Sequence, residues 1–94
     1  YGISIGATTF IYQYKIANKI SFFVDDDTFR QNRFSPGSNI PVKSSKSISK
    51  SKPDLIIIFA PLYYKKIIEN IKTLKNKRVD VLLIWPKIKL IKLK

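Results

Sequence analysis

The chain has 94 residues, of which 45% are hydrophobic. A chain of this size buries roughly 60 to 70% of its unfolded surface, which is enough to form one small domain. It contains no cysteine and no histidine, which excludes disulfide bonds, thiolate metal sites and histidine-dependent catalysis. The net charge is +12, and residues 65–94 carry ten basic side chains against two acidic ones. Only three of the 18 basic residues are arginine, the side chain favoured for recognising bases and phosphates. We therefore interpret most of this charge as solvated surface and do not expect a nucleic acid as a partner.

The ends and hydropathy of the chain suggest its context. Tyr1 lies within an apolar segment, so we interpret residues 1–94 as a single-domain fragment of a longer chain. No apolar run approaches the roughly 20 residues needed to cross a bilayer, and no secretion signal is recognisable. We expect a soluble protein with no membrane partner, and the cytoplasm is its default location.

The first half of the chain predicts two strands separated by a helix. Residues 1–5 alternate apolar and small side chains and end at Gly6, after which residues 7–14 can form an amphipathic helix. The β-branched and aromatic run at 20–24 predicts a second strand. Residues 28–42 are dense in turn formers and predict an excursion over the surface, ending in a short edge strand at 40–42. The lysine- and serine-rich stretch at 43–52 is compatible with a short helix or with a loop.

The second half continues the alternation of strands and helices. The apolar run at 55–60 predicts the central strand of a parallel sheet, and residues 64–74 have apolar side chains at helical spacing. Residues 79–85 predict a further strand that Pro86 ends, and residues 87–94 predict a terminal edge strand protected by lysines. The whole pattern predicts an α/β fold: a Rossmann-like three-layer sandwich with a mostly parallel sheet of about five strands.

The first turn and the end of the second strand are candidates for ligand binding. Gly6 permits close approach of the backbone, and the amides that follow it would face an anion. Asp25 follows Gly6 by about twenty residues, the spacing at which dinucleotide-binding folds place a carboxylate for the ribose hydroxyls. The glycines do not reproduce the G-x-G-x-x-G pattern, so a purely structural turn is the alternative. Gly2-x-Ser4-x-Gly6 formally matches an esterase nucleophile elbow, which the absence of histidine argues against.

Two further groups of residues have both a functional and a structural interpretation. Asp25, Asp26 and Asp27 are consecutive, and neighbours on an extended chain point in opposite directions, so we do not expect all three to hold one metal ion. Tyr63 precedes the helix at 64–74 and can stack on a ring or donate a hydrogen bond, although local packing is the alternative.

Several segments together resemble a known family. They are a tyrosine-glycine turn, a valine before paired aspartates, a proline-glycine loop, a lysine-proline-aspartate before an apolar strand, and a tyrosine before an isoleucine-rich helix. In the order just given, these motifs lie at residues 1–9, 24–26, 35–42, 52–54 and 63. In this order they resemble the carboxyl-terminal domain of the C-methyltransferase family that modifies nucleotide-linked deoxysugars. Residues 61–62 and 77–78 depart from the family pattern, which has tryptophan and asparagine at the first position and a glycine pair at the second.

The resemblance implies that this chain is one domain of a longer enzyme whose functions are carried by different domains. The parent protein would have a cysteine-bound zinc region, a central S-adenosylmethionine-binding catalytic domain, and this domain, which helps to hold the nucleotide-linked sugar. We therefore expect no catalytic residue, metal or cofactor in this chain, no activity of the chain alone, and the upstream methyltransferase domain as its partner. The predicted substrate-binding residues are Gly6, Ala7, Thr8, Asp25, Asp26 and Tyr63.

Two other functions are compatible with the sequence. The glycine turn and Asp25 are also typical of an autonomous NAD- or nucleotide-binding module. The basic carboxyl-terminal segment is also compatible with a module that binds RNA or an acidic protein.

Overall fold

The computed structural model describes residues 1–2, 5–35, 39–75, 77–84 and 87–94, with only the backbone described at residues 5, 6, 8 and 61. The α-helices are α1 (Ile5–Tyr14), α2 (Ser47–Ser51) and α3 (Tyr64–Leu74), and single 3-10 turns occur at Ala17–Lys19 and Pro61–Tyr63. The strands are β1 (Phe23–Val24), β2 (Arg33–Phe34), β3 (Pro41–Lys43), β4 (Leu55–Ile58), β5 (Val79–Leu83) and β6 (Lys89–Leu93). None of the described helices is long and apolar enough to cross a membrane.

Within the part of the chain that the structure describes, the strands form two three-stranded sheets, each with one parallel and one antiparallel pair. In the first sheet the order is β1-β3-β2, with β1 parallel and β2 antiparallel to β3. In the second the order is β4-β5-β6, with β4 parallel and β6 antiparallel to β5. Both sheets are therefore mixed.

The predicted Rossmann-like sandwich with a mostly parallel sheet of about five strands is wrong. The described strands form two separate sheets instead of one. In addition, two connections are too short for a parallel crossover, which needs about a dozen residues or more. Only residues 35–40 separate β2 from β3, and only residues 84–88 separate β5 from β6. Each connection is long enough only to reverse the chain, so each makes an antiparallel pair.

Several individual elements also differ from their predictions. α1 begins at Ile5, so Gly6 lies in the first helical turn and not in a turn before the helix. β3 is the middle strand of its sheet, not an edge, and β5 rather than β4 is the middle strand of the other. β2 was not predicted, because its two residues lie in a segment dominated by turn formers.

Other predictions are confirmed. α3 covers the predicted residues, and β6 is a terminal edge strand whose lysines at 89 and 92 are exposed. The open choice at residues 43–52 is resolved as the short helix α2, whose apolar residue Ile48 is buried. The proline-glycine segment at 36–38 and the proline at 86 lie outside the described residues.

The buried side chains of the described residues form two hydrophobic cores. The first packs α3 and α2 on the second sheet; its fully buried members include Ile71, Val81 and Ile48. The second packs α1 on the first sheet and includes Ala7, Ile11 and Val42. Burying apolar side chains of this size is worth about 1.5 to 3 kcal/mol each before the entropy of ordering is counted.

The two sheets are connected by the first two residues. The Tyr1 amino group donates to the Ile57 carbonyl at 2.6 Å, and the Phe59 amide donates to the Tyr1 carbonyl at 2.9 Å. The Gly2 amide donates to the Val24 carbonyl at 2.7 Å. The two bonds of Tyr1 are those of a parallel pairing with β4, and the Gly2 bond reaches the end of β1, so residues 1–2 tie the edge of one sheet to the edge of the other.

Candidate functional site

A pocket of about 480 Å³ lies where β1 and β4 end. Asp25 and Asp26, which follow β1, line one side, and Phe59 and Ala60, which follow β4, line the bottom. The rest of the lining comes from Leu62 and Tyr63 in the turn before α3 and from the first two turns of α3. The volume is within the range of about 300 to 1,000 Å³ typical of small-molecule sites.

The bottom of the pocket is apolar and closely packed. Tyr1, Phe59 and Ile67 are all at least 92% buried and line it. Gly2 has a φ of +89°, and a Cβ atom there would lie 3.1 Å from the Ala60 Cβ atom. Both the backbone conformation and the close approach favour glycine at this position.

A hydrogen bond joins the bottom of the pocket to its acidic side. The Tyr1 hydroxyl donates to Asp26 Oδ2 at 2.6 Å. Burial and this carboxylate raise the pKa of the Tyr1 phenol to about 12, against smaller lowering effects from Asn70 and Ser45. Tyr1 is therefore a hydrogen-bond donor at neutral pH and holds the Asp26 carboxylate at the edge of the pocket.

Residues 25–30, which follow β1 and which we call the aspartate loop, are held in place by hydrogen bonds and ion pairs of their own side chains. Asp25 Oδ1 accepts from the Asp27 amide at 2.9 Å, and Asp27 Oδ1 accepts from the Phe29 amide at 3.0 Å. Such side-chain to backbone bonds two residues ahead are typical of turns that begin with aspartate. Arg30 adds ion pairs with Asp25 at 3.5 Å and Asp27 at 3.7 Å. The loop therefore presents carboxylates and a guanidinium group to the same pocket.

The helical side of the pocket is cationic and partly aromatic. Tyr63 is 65% exposed and lies at the start of α3, with Lys66 three residues later on the pocket wall. The first turn of α3 contains Lys65 and Lys66 and no acidic residue, although the positive end of a helix dipole favours acids there. This arrangement weakens the helix end slightly and favours an anion beside it.

The structure brings together three of the six predicted substrate-binding residues. Asp25, Asp26 and Tyr63 line the same pocket. Ala7 lies elsewhere, fully buried in the second core, and Gly6 and Thr8 are within α1, with side chains outside the described set. A binding role for these six residues stays a prediction.

The pocket also contains residues that the sequence did not single out. Tyr1, Arg30, Lys66 and Asn70 all line it. The sequence could have indicated Lys66, because it follows Tyr63 by about one helical turn and that spacing places two side chains on one face. It could not have indicated Tyr1, because no residue near Tyr1 in the sequence signals its contact with Asp26. Among the described residues no group of three or more metal-binding side chains occurs, and Ser4 of the formal nucleophile motif lies outside them.

Comparison with known families identifies the domain. The family model for the C-methyltransferase C-terminal domain matches residues 1–86. The chain therefore belongs to the C-methyltransferase C-terminal domain family, which confirms the resemblance seen in its motifs. No curated protein sequence matches the chain.

Proposed function

We propose that this domain holds the nucleotide-linked sugar substrate of an S-adenosylmethionine-dependent sugar C-methyltransferase, in the pocket at the ends of β1 and β4. The zinc and S-adenosylmethionine sites and the catalytic base belong, in this proposal, to an upstream domain of the same chain. Membership of the C-methyltransferase C-terminal domain family supports this division. We also propose that the protein is located in the cytoplasm.

The observation that carries the proposal is that acidic and basic side chains line one pocket. Carboxylates such as Asp26 accept hydrogen bonds from ribose hydroxyls, and Lys66 and Arg30 attract a diphosphate. Tyr63 offers an exposed aromatic face for a base or sugar ring. A ligand with a diol, a diphosphate and a ring uses all three features, and nucleotide-linked sugars have them.

Binding of the ligand is tested by calorimetry with the purified chain. We expect a nucleoside diphosphate sugar to bind and Lys66→Ala to weaken it about fivefold, roughly 1 kcal/mol. Lys65→Ala is the matched control, because Lys65 neighbours Lys66 on the same helical turn and does not line the described pocket. Equal affinities of the two variants would contradict the assignment of this pocket. Tighter binding of NAD than of any nucleoside diphosphate sugar would favour an autonomous NAD-binding module instead.

The reaction is tested with the parent protein. It should transfer a methyl group from S-adenosylmethionine to carbon of a nucleotide-linked ketosugar, and the 94-residue chain alone should not. A parent protein that binds S-adenosylmethionine but methylates no member of a broad panel of nucleotide-linked sugars would contradict the proposal.

A further inference from the structure

The outer edge of β6 has no strand beside it in the part of the chain that the structure describes. β6 pairs with β5 along residues 89–93 and ends the second sheet. A strand at the edge of a sheet leaves one row of backbone amides and carbonyls unpaired, and such a row can pair with another polypeptide. We call this row the open edge of β6.

The pairing of β5 determines which residues of β6 direct their backbone groups to the open edge. The Asp80 amide donates to the Asp54 carbonyl at 3.0 Å, so the backbone groups of Asp80 are directed at β4. Alternation along β5 then directs the backbone groups of the next residue at β6, where Ile91 lies opposite. Leu90 and Lys92, on either side of Ile91, therefore direct their amides and carbonyls outward.

The open edge is strongly basic. Its lysines, at positions 87, 89, 92 and 94, are all exposed, and residues 81–94 contain no acidic side chain. None of these four lysines forms an ion pair with a described residue, although Asp80 lies opposite Lys92 in the sheet. The Lys75 ammonium adds a further cation, because it donates to the Lys94 carbonyl at 2.7 Å. Like charges therefore oppose pairing with β6 of a second copy, whereas an acidic strand would be attracted.

Apolar side chains alternate with these lysines. Ile88 is 73% exposed and Leu90 is 51% exposed, whereas Ile91 and Leu93 pack in the first core. A strand beside β6 would thus meet both lysines and accessible apolar side chains. A nucleic acid could neutralise the lysines, but it has no row of amides and carbonyls to match those of Leu90 and Lys92. The geometry of the edge therefore favours a polypeptide.

We propose that the open edge of β6 binds an extended acidic segment of a partner polypeptide, which adds a fourth strand, antiparallel to β6, to the second sheet. The partner residues opposite Leu90 and Lys92 each exchange two backbone hydrogen bonds with them. Acidic side chains lie opposite Lys89, Lys92 and Lys94. An apolar side chain lies opposite Leu90. This surface is separate from the pocket at the ends of β1 and β4, whose lining contains no residue of β6.

The register defines a peptide that tests the proposal. Glu-Thr-Glu-Val-Leu-Glu-Val places its third residue opposite Lys92 and its fifth opposite Leu90. Fluorescence anisotropy with the purified chain should show saturable binding that weakens as salt is added, because exposed charges are screened. In NMR spectra, the amides of Leu90 and Lys92 should shift more on binding than the amide of Ile71 in α3.

Two N-methylated forms of the peptide separate strand pairing from attraction between charges. Methyl groups on the third and fifth amides remove the two donors that face β6 and should weaken binding at least about tenfold. Methyl groups on the fourth and sixth amides, which point away from β6, should weaken it less than about threefold. Equal effects of the two forms would overturn the proposal, as would the absence of saturable binding up to millimolar peptide.

A pair of charge-reversed variants tests the position of the site. Lys89→Glu should weaken peptide binding about fivefold, because an attraction across the strands becomes a repulsion. Lys50→Glu is the matched control: it makes the same change in net charge at an exposed position of α2 and should change affinity by less than about twofold. Equal losses in the two variants would contradict a site at β6. If Lys89→Glu does not fold, the methylated peptides decide the question with the wild-type chain.

Two further measurements distinguish the other possible occupants of the edge. A random RNA oligonucleotide that binds more tightly than the peptide and displaces it would overturn the proposal in favour of a nucleic acid. Sedimentation of the chain without peptide should show a monomer. A dimer that the peptide dissociates would overturn the proposal in favour of a second copy of the chain.

Discussion

Tyr1 combines packing and hydrogen bonding at the junction of the two sheets. Tyr1 is 7% exposed, its backbone forms hydrogen bonds with β4, and its hydroxyl donates a hydrogen bond to Asp26. Since the folded state raises the pKa of the phenol from 10.0 to about 12, the folded state holds this proton more tightly than the unfolded state. Its contribution to stability is present below pH 10 and is lost as the pH rises towards 12.

The Tyr1→Phe variant tests this linkage. We expect the variant to be less stable than the wild type by about 1 kcal/mol at pH 8, because the hydrogen bond to Asp26 is lost. Between pH 9 and 12, its free energy of unfolding should fall less steeply than that of the wild type. Urea denaturation measures both effects. Tyr12→Phe is the control, because Tyr12 is 86% exposed and the substitution should leave the pH dependence as in the wild type.

Gly2 offers a second prediction at the scale of one residue. Gly2→Ala should destabilise the domain by about 1 to 3 kcal/mol, because φ is positive and the new Cβ atom crowds Ala60. The double variant Gly2→Ala with Ala60→Gly removes the crowding but retains the backbone strain. Thermal denaturation should therefore show partial recovery in the double variant, and full recovery would show that the φ angle costs nothing.

At the scale of the element, α3 shows how a lysine-rich helix is held on a sheet. Its apolar residues recur on one face, where Ile67 and Ile71 are buried, and its lysines at 65, 66 and 72 are exposed. The Ser49 hydroxyl of α2 donates to the Leu74 carbonyl at 2.6 Å and satisfies one of the acceptors left open at the end of α3. Packing rather than charge therefore fixes the position of this helix.

The prediction for α3 compares two isoleucines. Ile71→Ala should reduce the free energy of unfolding by about 2 to 5 kcal/mol, because Ile71 is wholly buried and the change leaves a cavity. Ile88→Ala removes the same atoms from a side chain that is 73% exposed and should change stability by less than about 0.5 kcal/mol. Similar losses in the two variants, measured by urea denaturation, would contradict the described packing.

At the scale of the whole molecule, β6 extends the domain beyond the segment that the family model matches. The match ends at residue 86, whereas β6 pairs with β5 along five residues and places Leu93 in the first core. We expect deletion of residues 87–94 to abolish cooperative thermal unfolding, because β5 would lose its antiparallel partner. Deletion of residue 94 alone is the control and should leave a cooperative transition. A stable, cooperative domain without β6 would show that the family segment is sufficient by itself.

The candidate site depends on contacts that are far apart in sequence. The sequence indicated Asp25, Asp26 and Tyr63, because a run of acids after a strand and an aromatic residue at a helix start are local signals. It did not indicate Tyr1, which contacts Asp26 across 25 residues of sequence. It did not indicate Arg30 either, whose ion pairs depend on the fold of the aspartate loop. Local pattern finds residues of the right chemistry, but only packing decides which of them meet.

Patterns along the sequence were enough to predict the family, the amphipathic helix α3, the strands β4 and β5, and the lysine-bearing edge strand. The family depends on the order of motifs along the chain, and each element depends on periodicity within a few residues. The strand order, the two mixed sheets and the pocket that Tyr1 shares with the aspartates follow from packing and could not be predicted from local patterns. The physical reason is that strand direction depends on whether a connection is long enough to cross a sheet. Pairing between distant edges depends on backbone groups whose partners no local pattern specifies.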